Sequence, residues 1–413
     1  MKHFEIRAGA LFAEDVPLES VAAEYGTPTF VYSRAALVSA HAGYTAALAG
    51  RDSMLCYAVK SNSNLAIMNV FARLGTGFDI VSGGELSRVL AAGGDPGKVV
   101  FSGVGKTRDE MRAALTQGIY CFNVESEAEL YRLAEVAGSL GKRAPIALRV
   151  NPDVDPKTHP YISTGLKCNK FGVPITGAHA LYRTAAELPQ LEIRGIACHI
   201  GSQLLDPAPV AEAAAKVVAL AEALNRDGIE LRHLDLGGGL GIRYDDEDVP
   251  STQHYLAPLL EVLTGRKERL LLEPGRSLVG NAGVLLSRVE YLKRGEDRNF
   301  AIIDAAMNDL ARPALYDAWH RIAEVKPRGR VERYDVVGPV CESGDFLGRA
   351  RDLAIEESDL VAIFSAGAYG MTMSSNYNTR PRAAEVMVDG AACHLIRERE
   401  RVEDLYAGER LLP

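Results

Sequence analysis

The sequence predicts an α/β chain, a (β/α)8 barrel followed by a mainly antiparallel β domain. Three observations carry this. Short apolar, β-rich runs alternate eight times with amphipathic helical stretches. The alternating region, Met54 to Gly275, approaches the ~250 residues typical of such a barrel. After Gly280 the alternation stops, and strand-like runs succeed one another with few long helices between them.

The eight strand candidates are Met54–Val59, Gly77–Val81, Lys98–Ser102, Ile119–Val124, Ile146–Val150, Ile193–Ile200, His233–Leu236 and Leu270–Leu272. Leu65–Leu74, Glu85–Ala92, Arg108–Leu115, Ser126–Leu140 and Val210–Leu224 carry apolar residues at helical spacing between them. Strands separated by helices must pair in parallel, because each crossover returns over the sheet. A doubly wound sheet uses the same elements and is the competing arrangement. Later strand candidates are Val284–Leu292, Phe300–Asp304, Tyr334–Val337, Leu360–Ser365 and Ala384–Val388. The expected division is a barrel over 27–280 and a β domain over 281–413. Residues 1–26, with strand-like Phe4–Ala8, are expected to join the β domain.

Composition narrows the functional classes. The 413 residues suffice for two domains and a large core. Hydrophobic content of 47% and charged content of 24% are ordinary for a globular chain. A net charge of −8 without a densely basic stretch argues against nucleic acid and anionic membrane as partners. The N-terminal segment lacks the apolar core of a signal peptide, and no stretch has the length and apolarity of a membrane span. Cys56, Cys121, Cys168, Cys198, Cys341 and Cys393 form no C-x-x-C pair, which fits a reducing cytoplasm. Two motifs fail on spacing. The glycine that a P-loop needs before Gly105-Lys106-Thr107 falls on Val100. The last glycine of a dinucleotide fingerprint begun at Gly237 falls on Ile242.

Active sites of barrels lie at the C-terminal strand ends. Lys60 closes the first strand. Asp79 lies in the second, which runs into Ser82-Gly83-Gly84-Glu85. His199 and Ser202 follow the sixth, Gly237, Gly238 and Gly239 the seventh, and Glu273, Gly275 and Arg276 the eighth. Singly, these read equally well as a surface lysine, a core histidine, a flexible turn and an ion pair. Together they match the needs of pyridoxal phosphate, and no metal is called for. Lys60 forms the resting imine with its aldehyde. The glycine amides and Ser202 hold its phosphate. Glu273 keeps its ring nitrogen protonated, and His199 offers a face for stacking.

YAVKSN, HIGSQ, GGG and EPGR, in that order, resemble the fold-type III pyridoxal-phosphate decarboxylases, whose barrel is alanine-racemase-like. Three further segments resemble the diaminopimelate decarboxylase family: His159–Val173, Asn299–Trp319 and the CESGDFL that starts at Cys341. Ser61 stands where many relatives have alanine. The resemblance implies conversion of meso-2,6-diaminopimelate to L-lysine and carbon dioxide, the last step of lysine biosynthesis. It implies Cys341 as proton donor, working at the cofactor of a partner subunit in a homodimer. A thiol of ordinary pKa, ~8.5, is protonated at neutral pH and can fill that role. Arg276 and Arg312 would grip the distal carboxylate, and Glu342 the distal ammonium. Tyr316 and Tyr369 are further substrate contacts by resemblance, with Tyr369 also touching cofactor. The alternatives are a decarboxylase of ornithine or lysine, an amino-acid racemase, and a relative that has lost its chemistry.

Overall fold

The computed structural model describes residues 3–155 and 170–413. Cys168 and most of His159–Val173 lie outside the described residues. The chain divides into two compact units. One comprises Ala40–Ile242 with Asp248–Ser277, the other Met1–Ser39, Arg243–Glu247 and Leu278–Pro413.

The first unit is a closed barrel of eight parallel strands: β1 (Ser53–Ala58), β2 (Gly77–Ile80), β3 (Val99–Phe101), β4 (Cys121–Val124), β5 (Ala144–Asn151), β6 (Leu191–Ala197), β7 (His233–Asp235) and β8 (Arg269–Leu272). Neighbours pair in chain order, and the cylinder closes where Leu270 to Leu272 of β8 register with Ser53 to Leu55 of β1. The doubly wound alternative is thereby excluded. Each strand lies within three residues of its sequence-predicted limits. The apolar runs mark the strands because both faces of a parallel barrel are covered. Strand ends were overrun where chemistry-bearing loops begin. Val59–Ser61, for example, forms a single 3-10 turn rather than the end of β1.

Helix starts follow their caps. Thr107 and Glu110 satisfy each other's backbone amides in a capping box, and Ser82 and Ser126 accept from the amides three residues on. The Ser82 cap explains why that helix opens at Gly83 rather than Glu85. Ala208–Arg226 buries Val210, Ala213, Ala214, Val217, Leu220, Ala221 and Leu224, one stripe at helical spacing.

The second unit is built on a nine-stranded sheet. Its main order is Phe346–Leu353, Glu332–Val337, Asn299–Ile303, Gly283–Lys293, Thr29–Ser33, Ala384–Asp389 and Ala392–Arg397. The sheet is mixed, since Asn299–Ile303 with Glu332–Val337 and Thr29–Ser33 with Ala384–Asp389 pair in parallel. Phe4–Arg7 does not enter this sheet. It pairs with Ala10–Ala13 in a small sheet of its own. Phe4, Leu11 and Val16 nevertheless share a core with Val284, Leu286, Phe364 and Val386. Among the described residues, no helix is long and apolar enough to cross a membrane.

The amino end of the barrel is closed by packing. Tyr120 and His233 rings lie 5.3 Å apart, and His233 is fully buried. A Cβ on Gly195 would sit 2.4 Å from its Nε2. Gly195→Ala is therefore expected to cost about 1–3 kcal/mol through overpacking, read as a fall in the unfolding midpoint without loss of cofactor affinity.

Candidate active site

Lys60 sits on the 3-10 turn that follows β1. Ser61 Oγ donates to Ala58 O at 2.7 Å, and Tyr57 Oη donates to Asn62 O at 2.7 Å, so the turn is tied at both ends. A Cβ on Gly275 would lie 3.0 Å from Ser61 Cβ, so glycine there lets the loop after β8 approach the turn. Lys60 Nζ donates to Asp79 Oδ2 from the end of β2. Asp79 is fully buried, and its second oxygen has no hydrogen-bond partner among the described residues.

Two more carboxyl groups join this end of the barrel. Asp235 ends β7 and Glu273 follows β8. The Asn123 amide on β4 reaches both, at 3.1 Å to Asp235 Oδ2 and 3.4 Å to Glu273 Oε1. The two carboxyls stand close enough to shift each other's titration. Burial, then the charges of Asp235 and Asp79, push the Glu273 carboxyl well above the usual range, against the pull of Lys60. Burial also raises Asp235. The protonated form of Glu273 is thereby favoured. Glu85, on the helix after β2, is raised to about 7, first by burial and then by Asp79, while its contact to Val81 N at 2.6 Å opposes the shift.

His199 is neutral. Burial, then the cations Arg149 and Lys60, hold its pKa well below the ordinary value. Its Nδ1 accepts from Gly238 N at 3.3 Å. The glycines are demanded at two levels. Gly237 and Gly239 hold φ of +65° and +121°, and a Cβ on Gly238 would lie 2.4 Å from Glu273 O. Gly237 N is engaged as well, donating to Asp235 Oδ1 at 3.0 Å. Two of the three glycine amides expected to bind phosphate are thus occupied. Arg276 Nε and Nη2 both donate to Ser202 Oγ, at 3.2 and 3.1 Å.

Lys60, Asp79, His199, Ser202, Gly237 to Gly239, Glu273, Gly275 and Arg276 therefore gather at one end of the barrel unit. The other expected residues belong to the second unit. Arg312 and Tyr316 open and close the short helix Arg312–Tyr316, with Arg312 buried and Tyr316 partly exposed. Tyr369 holds φ of +56°, which a bulky side chain adopts only under constraint. Cys341 is exposed, unlike Cys56, Cys121 and Cys198. Its amide donates to Asn378 Oδ1 at 3.1 Å. Asp345 staples the same segment, accepting from Val340 N at 2.8 Å and Met307 N at 2.6 Å. Glu342 is exposed beside Cys341.

Sequence reasoning missed Asn123, the pairing role of Asp235, and Tyr255. The Tyr255 hydroxyl is buried without a hydrogen-bond partner among the described residues, 3.1 Å from where a Gly239 Cβ would lie. Asn123 was findable, since a polar residue near the end of a barrel strand is the signal used for the other strands. Tyr255 lies on a helix and carries no such signal.

These residues fit pyridoxal phosphate. A buried carboxyl cluster with an orphaned Asp79 oxygen favours a ring cation, a neutral imidazole suits a flat ring, and an amine stands beside them. Comparison with known proteins agrees. The family described as "Pyridoxal-dependent decarboxylase, pyridoxal binding domain" matches residues 34–280. Diaminopimelate decarboxylase of Pseudomonas aeruginosa is 60% identical over 414 residues, covering 100% of both chains. Diaminopimelate decarboxylase of M. jannaschii, solved in co-complex with L-lysine, superposes with a TM-score of 0.94 at 39% identity, covering 99% of this chain and 98% of that one. The Helicobacter pylori enzyme complexed with L-lysine gives 0.92 at 43%, covering 94% and 98%.

The raised Glu273 pKa has a consequence for the cofactor-free protein. The folded chain keeps this proton at pH values where the unfolded chain has lost it. Glu273 therefore contributes stability that is full below the ordinary carboxylate range and is lost as pH rises. Glu273→Gln is expected to unfold later than the cofactor-free parent at pH 8, by on the order of 1 kcal/mol, with the gap closing toward pH 4. Melting curves across that range check this; parallel curves contradict it. In its barrel, its strand-end chemistry and its full-length similarity, the chain belongs to the diaminopimelate decarboxylase family of pyridoxal-dependent decarboxylases.

Proposed function

We propose that the chain catalyses the pyridoxal-phosphate-dependent decarboxylation of meso-2,6-diaminopimelate to L-lysine and carbon dioxide in the cytoplasm, as a homodimer with shared sites. The observation that carries this reading is the lysine set on the buried cluster of Asp79, Asp235 and Glu273. When bound, the cofactor supplies an aldehyde carbon and an electron-accepting ring. Lys60 would hold the aldehyde carbon, with Asp79 orienting its amine. Glu273 would stabilise positive charge on the ring nitrogen, and His199 would offer a neutral face to the ring. Ser202, Gly239 and Arg276 would hold the phosphate, with Gly237, Gly238 and Gly275 allowing close approach.

Cys341 holds the proton that the former α-carbon needs after carbon dioxide leaves. Its exposure and its stapled backbone support a role toward the site of a partner subunit, with Glu342 beside it for the distal ammonium. Arg276, Arg312, Tyr316 and Tyr369 complete substrate recognition. Arginine forks match a carboxylate in two parallel hydrogen bonds. L-Ornithine and L-lysine lack the second carboxylate and leave that recognition unmatched. Sites built on such hydrogen bonds reject the lacking analogue by ~10⁴-fold or more.

Assaying carbon dioxide and lysine release tests the assignment. meso-Diaminopimelate is expected to exceed L-ornithine and L-lysine in kcat/KM by ~10⁴-fold. A preference for either monocarboxylate overturns the substrate assignment, and α-proton exchange without gas release indicates a racemase. Cys341→Ala is expected to keep bound cofactor and to slow product formation by ~10²-fold or more. Unchanged turnover removes Cys341 from the reaction.

A further inference from the structure

Arg312 is buried, and the groups that surround it define how its guanidinium lies. Nη1 stands 2.8 Å from His320 Nε2. The opposite nitrogen of that ring, Nδ1, stands 2.8 Å from Phe364 O. A carbonyl oxygen only accepts, so Nδ1 carries the proton. Arginine only donates, so Nε2 carries the lone pair. Both contacts demand the same neutral tautomer, although neither partner is a residue that titrates. His320 is fully buried and cannot turn to exchange these bonds for water.

A second constraint acts on the plane of the same group. The guanidinium carbon lies 4.5 Å from the centre of the Tyr244 ring, and His320 meets that ring edge-on at 5.2 Å and 79°. Tyr244 is buried as well. The hydrogen bond stops rotation of the guanidinium within its plane, and the aromatic face stops tilting out of it. Proline at position 313 and the helix start fix the backbone from which Arg312 springs. Arginine otherwise loses ~2 kcal/mol of side-chain freedom when ordered, and this arrangement meets that cost during folding rather than on ligand binding.

We propose that His320 and Tyr244 are positioning residues that preset the Arg312 fork for the distal carboxylate of the substrate, and so set the preference for a dicarboxylic over a monocarboxylic amino acid. This rests on the reading above that Arg312 binds that carboxylate. His320 is not itself a catalytic residue. It acts through Arg312, as an acceptor that contributes no charge of its own. A glutamate at this place would add a charge of its own beside the arginine, which a neutral acceptor does not.

The test compares His320→Phe, Tyr244→Leu and Arg312→Ala as cofactor-loaded enzymes. Steady-state kinetics with meso-diaminopimelate is read beside equilibrium binding of L-lysine, which keeps the distal carboxylate, and of 1,5-diaminopentane, which lacks it. The expected result for His320→Phe and Tyr244→Leu is a KM raised ~10-fold with kcat within ~3-fold. L-Lysine binding weakens in parallel, while 1,5-diaminopentane binding and the cofactor absorbance spectrum stay as in the parent. If His320→Phe does not fold, His320→Ala with added imidazole replaces it, and recovery of KM by imidazole is the supporting outcome. Unchanged KM in the His320 and Tyr244 variants, with a raised KM in Arg312→Ala, overturns the positioning role alone. Equal loss of affinity for L-lysine and 1,5-diaminopentane also overturns it. Unchanged KM and L-lysine binding in Arg312→Ala removes the carboxylate-binding reading beneath it.

Discussion

Like-charged side chains brought out of water to one place are costly, and this barrel gathers three. Asp79, Asp235 and Glu273 come from the ends of β2, β7 and β8, with Lys60 as the cation that opposes their charge. Two devices keep the arrangement tolerable in the protein alone. Glu273 favours its protonated form, and Asn123 donates to two of the carboxyls at once. A ring cation settling among these groups relieves the strain more completely than either. Buried charge of this kind contributes little to fold stability compared with apolar packing. Its value lies in the potential it creates, which is negative where a pyridine nitrogen must hold positive charge.

The remaining barrel features serve that cluster. Glycines at 237, 238 and 275 bring loops close enough that a methyl group would collide with Glu273, His199 or Ser61. The neutral His199 avoids a second cation that would compete with the ring. Arg276 ties Ser202 with two hydrogen bonds, so the hydroxyl and the guanidinium are held as one patch. The second unit uses the same economy differently. A neutral histidine orients Arg312, a buried aspartate staples the loop that carries Cys341, and Tyr369 is held in a left-handed backbone conformation.

Much of this was legible before any coordinates. The barrel strands stand out because parallel strands are apolar on both faces, and the strand-end rule then selects Lys60, Asp79, His199 and Glu273. What stayed hidden depends on convergence through space. Asn123 and Glu273 are separated by 150 positions, and nothing local to either marks the meeting. His320 follows an aromatic stretch and reads as a core residue until its two nitrogens are seen on Arg312 and Phe364. The hydrogen bonds that the glycine amides already make stayed hidden for a related reason. Spacing shows that Gly237 and Gly238 permit close approach, but it does not show that Asp235 and His199 already take their N–H groups. Several carboxyl ends of strands were placed too far along, as at Val59, because apolar residues continue into turns that fold back over the core.

All of this depends on a covalent link between one amine and the cofactor aldehyde. Reduction of the loaded protein with borohydride, followed by digestion and peptide mapping, reads that link directly. A single labelled peptide is predicted, the one spanning Met54 to Asn64, with the modification on Lys60. Label on any other lysine, or none at all in protein that retains the cofactor's absorbance, contradicts the account.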